Sequence, residues 1–364
     1  MGTPYGYWSQ SHLAPADNLP SIDPLLTPRI HTVQELARTL NKVGVVHVRG
    51  TPASGKTILA QFLKTHYVSL NTTVLFFDNW RGRARYELKI MDAGYKQDQR
   101  FNVPSFIEVG DYVLIIDDAE TSFHDMEFWK GFVLKALQRQ YKARICLFSC
   151  GGSPLSGTDQ ESFGHLQSGP FFPRHRVSVL PSAAGDSPPF GLFFTRVEFD
   201  DVIRRYCTAA IRNPKICLEL SAENRIFEVT RGHPGAVNGI LQLLHHVFRD
   251  PLMNAGFRLG KDEVESCLND LEHVGQIPNL QFKSSLPMSS VSHEAIQAMR
   301  IVVAKKAIDF DPNDTGIKEC YDNGWLLAEA IKGNRARYYD KRERVVCVFP
   351  TELHESYFKM AYED

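Results

Sequence analysis

The sequence lacks the features of a secreted, disulfide-rich or membrane-spanning protein. Its seven cysteines are scattered and include no Cys-x-x-Cys pair, which argues against a disulfide framework and against a zinc site. No apolar run approaches the roughly 18 residues needed to cross a bilayer. The N-terminal segment has no basic stretch followed by an apolar one, so we see no signal peptide. We therefore expect an intracellular protein, of the cytoplasm or the nucleus, with no membrane partner.

An excess of charge is also missing. The 41 lysines and arginines nearly balance the 42 aspartates and glutamates, which gives a net charge of −1. No global basic field therefore marks the chain as a nucleic-acid binder. What the chain does have is length and apolar content. Its 364 residues, of which 43% are hydrophobic, suffice for roughly two or three domains with sizeable cores.

Short apolar runs alternate with amphipathic helical patterns in the first half of the chain. The runs VVHV, TTVLFF, DYVLII and ARICLFS are typical of strands buried on both faces, and HRVSV indicates a short fifth strand. Such alternation predicts a parallel sheet with crossover helices. Residues 81–110 are polar and mixed. We divide the chain into an irregular N-terminal arm (1–29), an α/β core (30–198), a helical segment (199–255) and a C-terminal domain (256–364).

One stretch, GTPASGKT, matches the phosphate-loop pattern G-x4-G-K-[ST] in full and lies between a predicted strand and a predicted helix. Its two glycines let successive backbone N–H groups turn toward phosphate oxygens, and the next helix adds the positive end of its dipole. Lys56 is placed to reach the β- and γ-phosphates, and Thr57 to offer its hydroxyl to Mg²⁺. The predicted nucleotide-binding residues here are Gly50, Thr51, Pro52, Ala53, Ser54, Gly55, Lys56, Thr57 and Ile58.

Acidic residues follow the third predicted strand, VLII, as a partner for the phosphate loop. Asp117 would hold Mg²⁺ through water or Thr57. Asp118 lies where many such ATPases place the carboxylate that orients the attacking water, and Glu120 is the nearby alternative. In ATPases with an extra strand between the two motifs, a polar residue at the end of that strand can sense the γ-phosphate, and Ser149 is the candidate.

The turn GHPG opens a helix further along the chain. A proline fixed at a helix start gives a rigid apolar surface that can pack on an adenine ring, so His233 and Pro234 are predicted to line the nucleotide site. Arg231, next to this turn, and Arg196, in the stretch FFTRVEF, are candidates for sensing phosphate. Three more arginines, Arg81, Arg83 and Arg85, follow the second strand. They have two interpretations: they bind phosphate or a partner, or they belong to a solvated loop.

The phosphate loop, acid-tipped strand and GHPG turn, in this order, resemble the STAND group of AAA-like ATPases. The closer likeness is to the P-loop module of Crinkler-type proteins of fungi and oomycetes, whose relatives include retrotransposon hot-spot proteins. The resemblance implies a P-loop NTPase fold with a parallel sheet flanked by helices, then a helical lid and a winged-helix-like domain. It implies that ATP and Mg²⁺ bind between core and lid, with Pro234 facing the base. No E-x-K triplet of a restriction-type nuclease follows residue 250.

The C-terminal domain leaves two interpretations open. Its pattern of two helices and a strand-turn-strand fits a winged helix that binds DNA through basic side chains, or a structural lid that reports the nucleotide state. The basic residues are Lys305, Lys306, Lys341, Arg342 and Arg344. The sequence thus predicts a Mg²⁺-dependent ATPase or nucleotide switch in signalling or macromolecular assembly, with self-association as one partner hypothesis. The alternatives are a nucleotide-binding module without turnover, a small-molecule kinase and a DNA-binding regulator.

Overall fold

The computed structural model describes most of the chain. The described residues are 25–82, 84–150, 173–181, 187–209, 214–254, 256–271, 281–288, 290–331 and 344–363. Most of the predicted N-terminal arm lies outside them, as do Arg83, Lys341 and Arg342. None of the helices within these ranges has the length and apolar character that a bilayer crossing requires.

Five parallel strands form the central sheet, in the order β2-β3-β4-β1-β5. The strands are β1 Val45–Arg49, β2 Val74–Phe77, β3 Val113–Ile116, β4 Arg144–Ser149 and β5 Arg176–Val177. All of β3 and β4 except Arg144 is buried, because helices cover both faces, which accounts for the unbroken apolar runs. The predicted α/β P-loop fold class is confirmed, including the short fifth strand.

Two helical layers enclose this sheet. The helices are α1 Ile30–Val43, α2 Lys56–Ser69, α3 Tyr86–Tyr95, α4 Pro104–Val109, and a π-helical Phe128–Val133 that continues as α5 Leu134–Leu137. Helices α1 and α2 pack on one face, and the others pack on the opposite face. Residues 81–110 thus hold two helices that the sequence did not predict. Among the described residues of this region, three side chains are deeply buried, Ile90, Phe101 and Ile107, so its apolar pattern is too sparse to indicate helices.

The helical segment follows the core. Its helices are α6 Arg196–Thr208, α7 Leu220–Thr230, α8 Pro234–Val247, α9 Arg249–Leu252 and α10 Lys261–Asn269. Helix α6 begins at a capping box in which Thr195 and Glu198 bond to each other's backbone N–H groups. One apolar cluster joins α6, α7, α8 and α10 with two side chains of the last helix in the chain, Leu353 and Tyr357. Packing therefore groups α10 with the helical segment, while the division at residue 255 stays a prediction.

The C-terminal part of the chain contains a small antiparallel sheet, in the order β6-β8-β7, flanked by helices. Its elements are α11 His293–Lys305, β6 Ile308–Asp309, α12 Thr315–Asp322, β7 Leu327–Ile331, β8 Arg344–Val348 and α13 Glu352–Tyr362. The two predicted helices and two paired antiparallel strands are present, and the predicted turn between β7 and β8 lies outside the described residues. One of the basic residues, Lys306, forms an ion pair with Glu355 at 2.6 Å. The assignment to the winged-helix class and to DNA binding stays a prediction.

A buried ion pair fastens the start of α1 to the start of α6. The guanidinium of Arg29 lies 3.2 Å from a carboxylate oxygen of Glu198 and donates to the carbonyls of Leu192 and Phe193. Both side chains are almost fully buried. Burial alone would raise the pKa of Glu198, but Arg29 and the hydrogen bonds around it hold that pKa below its ordinary value. This contact ties the core to the helical segment at the point where one leads into the other.

Candidate functional site

The loop Gly50–Thr57 joins the end of β1 to the start of α2, as the sequence predicts. A Cβ added at Gly50 would lie 2.2 Å from Cδ2 of Leu192 and 2.6 Å from the hydroxyl of Ser54, so these side chains would have to shift to admit it. Gly55 has a φ of +86°, in the region that favours glycine. The two glycines of the motif therefore serve different purposes, close packing at the first position and a left-handed turn at the second.

Lys56 opens α2 and turns back over the loop. Its ammonium group donates to the carbonyl oxygens of Gly50 at 3.0 Å and Thr51 at 2.8 Å. The side chain is buried, and these carbonyls satisfy it where an unpaired ammonium would be costly. An anion at the loop would offer the same ammonium stronger, charge-assisted hydrogen bonds.

Asp117 follows β3 immediately and lies beside Thr57. Burial raises the pKa of Asp117 above its ordinary value, against the opposing effect of the nearby Thr57 hydroxyl. One of its oxygens, Oδ1, is buried without a hydrogen-bond partner. A hydroxyl and a carboxylate with a free oxygen are the hard oxygen ligands that Mg²⁺ takes. The residues present therefore fit the predicted metal site.

The two candidate water-orienting acids have different surroundings. Asp118 is exposed and adopts a left-handed conformation, with φ of +46°. Glu120 lies in the next turn and points back toward the sheet, where its Oε1 accepts from the backbone N–H of Cys150 at 3.3 Å. Its Oε2 is buried without a hydrogen-bond partner. Burial raises the pKa of Glu120, against the opposing effect of nearby Lys56.

Ser149 ends β4, the strand that lies between β1 and β3. The predicted extra strand between the two motifs is thus present. The hydroxyl of Ser149 is buried and lies 2.6 Å from Nε2 of His47 on β1. Burial, with Arg49 and Arg176 nearby, lowers the pKa of His47 to about 3, so its ring is neutral. No sequence pattern indicated this role for His47, and the sensing role of Ser149 stays a prediction.

The GHPG turn lies directly on the phosphate loop. The backbone N–H of Gly235 donates to the carbonyl of Ala53 at 2.9 Å. A Cβ added at Gly55 would lie 3.2 Å from Pro234. His233 is fully buried, and both of its ring nitrogens are hydrogen-bonded within the chain. The structure thus brings both predicted motifs together, with Pro234 against the loop and His233 behind it.

The two candidate phosphate-sensing arginines have no described contact with the phosphate loop. Arg196 pairs with Asp200 at 2.8 Å and donates to Asn224. Arg231 borders an apolar cavity that Phe194 and Phe227 also line. Of the arginines after β2, Arg85 is exposed and pairs with Glu87, while Arg81 is exposed. The pairing of Arg85 favours the interpretation of this segment as a solvated loop.

The C-terminal domain also reaches the phosphate loop, which the sequence did not indicate. Arg49, the last residue of β1, donates to the carbonyl of Ala328 at 3.2 Å and lies over the ring of Tyr321. A Cβ added at Gly324 would meet Cδ of Pro52 at 2.3 Å. The C-terminal domain therefore packs against Arg49, which precedes the loop, and against Pro52, the third residue of the loop.

We expect Gly324→Ala to destabilise the protein by about 1–3 kcal/mol, because the added methyl group overlaps the rigid Pro52 ring. Gly324 also has a φ of +70°, which disfavours alanine whatever the space. Gly82→Ala is the matched control, since Gly82 has a φ of +96° and open space around it. Denaturant unfolding of both variants measures the difference. Equal losses would show that the contact with Pro52 contributes nothing.

Comparison with known proteins yields distant structural likenesses only. No protein-family model and no curated protein matches the sequence. The RuvB Holliday junction branch migration motor of Thermotoga maritima is similar at 14% identity and a TM-score of 0.40, over 92% of this chain and 95% of that chain. A Walker-type ATPase of Pyrococcus abyssi is similar at 12% and 0.43, over 92% and 96%. Drosophila ORC bound to DNA is similar at 9% and 0.38, over 97% and 96%.

Structural similarity at these low identities and TM-scores assigns no activity to this chain. It also leaves open the resemblance to STAND and Crinkler-type proteins, which stays a hypothesis. The site is therefore interpreted from its own geometry.

Proposed function

We propose that the protein is an intracellular Mg²⁺-dependent ATPase of the AAA or STAND type that acts as a nucleotide switch in signalling or assembly. The observation that carries the proposal is the convergence of Lys56, Thr57 and Asp117 at one end of a parallel sheet, where α/β proteins bind ligands. Membership of the Crinkler-type group is part of the same proposal.

The loop residues would bind and orient the nucleotide. Lys56 would exchange its bonds to the Gly50 and Thr51 carbonyls for the β- and γ-phosphates. Thr57 and Asp117 would hold Mg²⁺, which neutralises charge on those phosphates when bound. Pro234, already in contact with the loop, would pack against the base.

Glu120 is the better placed acid for orienting the attacking water. Its unpartnered Oε2 is free to accept a hydrogen bond, while the Cys150 N–H fixes its other oxygen. In hydrolysis, the water oxygen would bond to the γ-phosphorus as the bond to the bridging oxygen breaks, and Glu120 would take the water's proton. Little covalent chemistry is required of the protein beyond this positioning.

The switch would act through contacts of the loop with two other units. The GHPG turn bonds to Ala53, and Gly324 packs on Pro52. If nucleotide binding moves the loop, the movement would therefore shift the helical segment, the C-terminal domain or both. Because Arg196 is paired within the helical segment, we propose that self-association supplies the arginine that speeds hydrolysis. A protein or DNA partner would bind through the C-terminal domain.

We expect Lys56→Ala to weaken ATP binding by about 10- to 100-fold, since charge-assisted hydrogen bonds to phosphate are lost. Isothermal titration calorimetry with MgATP measures the affinity. Lys64→Ala is the control, because Lys64 lies on the same helix but is exposed and contacts only the Phe76 ring among the interactions described for it. Unchanged binding by Lys56→Ala would contradict the proposal.

A nucleotide-binding module without turnover is the second candidate. The observation that favours it is the burial of Glu120, which raises the pKa of a carboxyl group that must be ionised to accept a proton. Analysis of the products from labelled ATP separates the candidates. Phosphate released to water indicates an ATPase, phosphate moved to an acceptor indicates a kinase, and intact ATP indicates a module that only binds.

A further inference from the structure

Two buried histidines from different units meet behind the phosphate loop. His233 caps the start of α8, and His354 lies on α13, with ring centroids 5.1 Å apart. Neither ring is accessible to solvent beyond 1%. Burial lowers the pKa of His233 to about 3 and that of His354 well below its ordinary value, so both rings are neutral.

The hydrogen bonds of His233 fix where its proton lies. The backbone N–H of Ala236 donates to Nδ1 at 3.1 Å, so this nitrogen carries no proton. The neutral ring must therefore be protonated on Nε2, which lies 3.1 Å from the hydroxyl oxygen of Thr51. His233 thus donates a hydrogen bond to the second residue of the phosphate loop.

His354 is fixed by a second set of hydrogen bonds. The hydroxyl of Ser285 donates to the Phe282 carbonyl at 2.6 Å, so its oxygen is free to accept from Nε2 of His354 at 3.1 Å. Nδ1 then accepts from Thr351 at 2.7 Å. The ring of His354 is hydrogen-bonded at both nitrogens and packs edge-on against the ring of His233.

Thr51 takes part in several hydrogen bonds of the phosphate loop. Its carbonyl accepts from Lys56 at 2.8 Å and from the hydroxyl of Ser54 at 2.6 Å. The only described side-chain bond that reaches Thr51 from outside the loop is the one from His233. A shift of Thr51 would therefore move the carbonyl that holds the Lys56 ammonium.

We propose that His233 is a positioning residue for nucleotide binding. It holds Thr51, and with it the backbone of the phosphate loop, in the binding geometry, while His354 packs against its ring from the C-terminal domain. The inference rests on the proposed nucleotide-binding function. It assigns His233 no contact with the nucleotide.

A double-mutant cycle tests this coupling. His233→Asn keeps an acceptor for the Ala236 N–H, because asparagine caps helices well, but it cannot reach Thr51. Thr51→Val keeps the shape of the side chain and removes the hydroxyl. We expect each variant to weaken MgADP binding by about 5- to 10-fold, the equivalent of one hydrogen bond. The double variant is expected to lose no more than the weaker-binding single variant.

His245→Asn is the matched control, since His245 lies on the same helix and bonds to the Pro214 carbonyl, away from the loop. We expect it to leave MgADP affinity unchanged. Losses that multiply in the double variant would overturn the proposal, as would a His233→Asn variant with lower thermal stability and wild-type affinity, because His233 would then be merely structural.

Amide hydrogen exchange of the free protein separates this inference from the proposed function. We expect His233→Asn to speed exchange across the loop residues 50–57, and His245→Asn to leave that exchange unchanged. A wild-type protein that binds no nucleotide would contradict the proposed function alone, and the exchange result would then decide the role of His233. Loop exchange that is identical in wild type and His233→Asn would overturn the inference.

Discussion

Glu120→Gln is expected to lower ATP turnover by about a hundredfold or more while nucleotide affinity stays near that of wild type. Glutamine has the size of glutamate and can still accept from the Cys150 N–H, so the turn after β3 keeps its structure. It cannot take a proton from water. Steady-state phosphate release, measured at saturating MgATP, gives the turnover, and calorimetry gives the affinity.

Asp118→Asn is the matched control for this experiment. Asp118 is exposed and adopts a left-handed backbone conformation, which asparagine tolerates well. We expect turnover within about twofold of wild type, as for a removed group that does not touch the reacting atoms. The opposite pattern, with Asp118→Asn inactive and Glu120→Gln active, would assign the water-orienting role to Asp118.

The largest loss of stability is expected from Arg29→Met, at about 3–5 kcal/mol, because removing one partner leaves a buried charge uncompensated. Glu198 would keep its position beside Thr32 and the Thr195 backbone N–H without its cation. The carbonyls of Leu192 and Phe193 would each lose a donor. Urea denaturation followed by circular dichroism measures the free energy of unfolding.

The same substitution at Arg38 is the control, because Arg38 pairs with Glu35 on the surface and its side chain is 63% exposed. Surface pairs contribute little to stability, so we expect its unfolding curve to overlay that of wild type. A second variant, Arg29→Met with Glu198→Leu, removes both charges and should recover part of the loss. An Arg29→Met protein as stable as wild type would show that the buried pair is not needed.

Local sequence patterns predicted the sheet and the phosphate loop, because both depend on residues close together in the chain. Buried parallel strands require unbroken apolar runs, and the loop requires glycines at two fixed positions. The GHPG turn was also located correctly, since proline and glycine mark a helix start directly. These features could be predicted from the sequence without knowing which helices and strands pack together.

Contacts between distant residues could not be predicted in the same way. The hydrogen bond between His47 and Ser149 joins residues 102 positions apart. The contact of Gly324 with Pro52 joins the C-terminal domain to the phosphate loop. The relative placement of Asp118 and Glu120 depends on a left-handed turn at Asp118, which redirects the chain after β3. Sequence spacing alone places both acids beside the loop and does not distinguish them.

The position of β1 in the sheet has a consequence for folding during synthesis. Its two neighbours are β4 and β5, whose paired residues start at Ile145 and Arg176, far beyond Val45 along the chain. An emerging chain therefore carries an unpaired apolar strand for about 100 residues of translation, the separation of Val45 from Ile145, and pairing over such distances is slow. Until β4 has left the ribosome, the strand is open to aggregation and to chaperones.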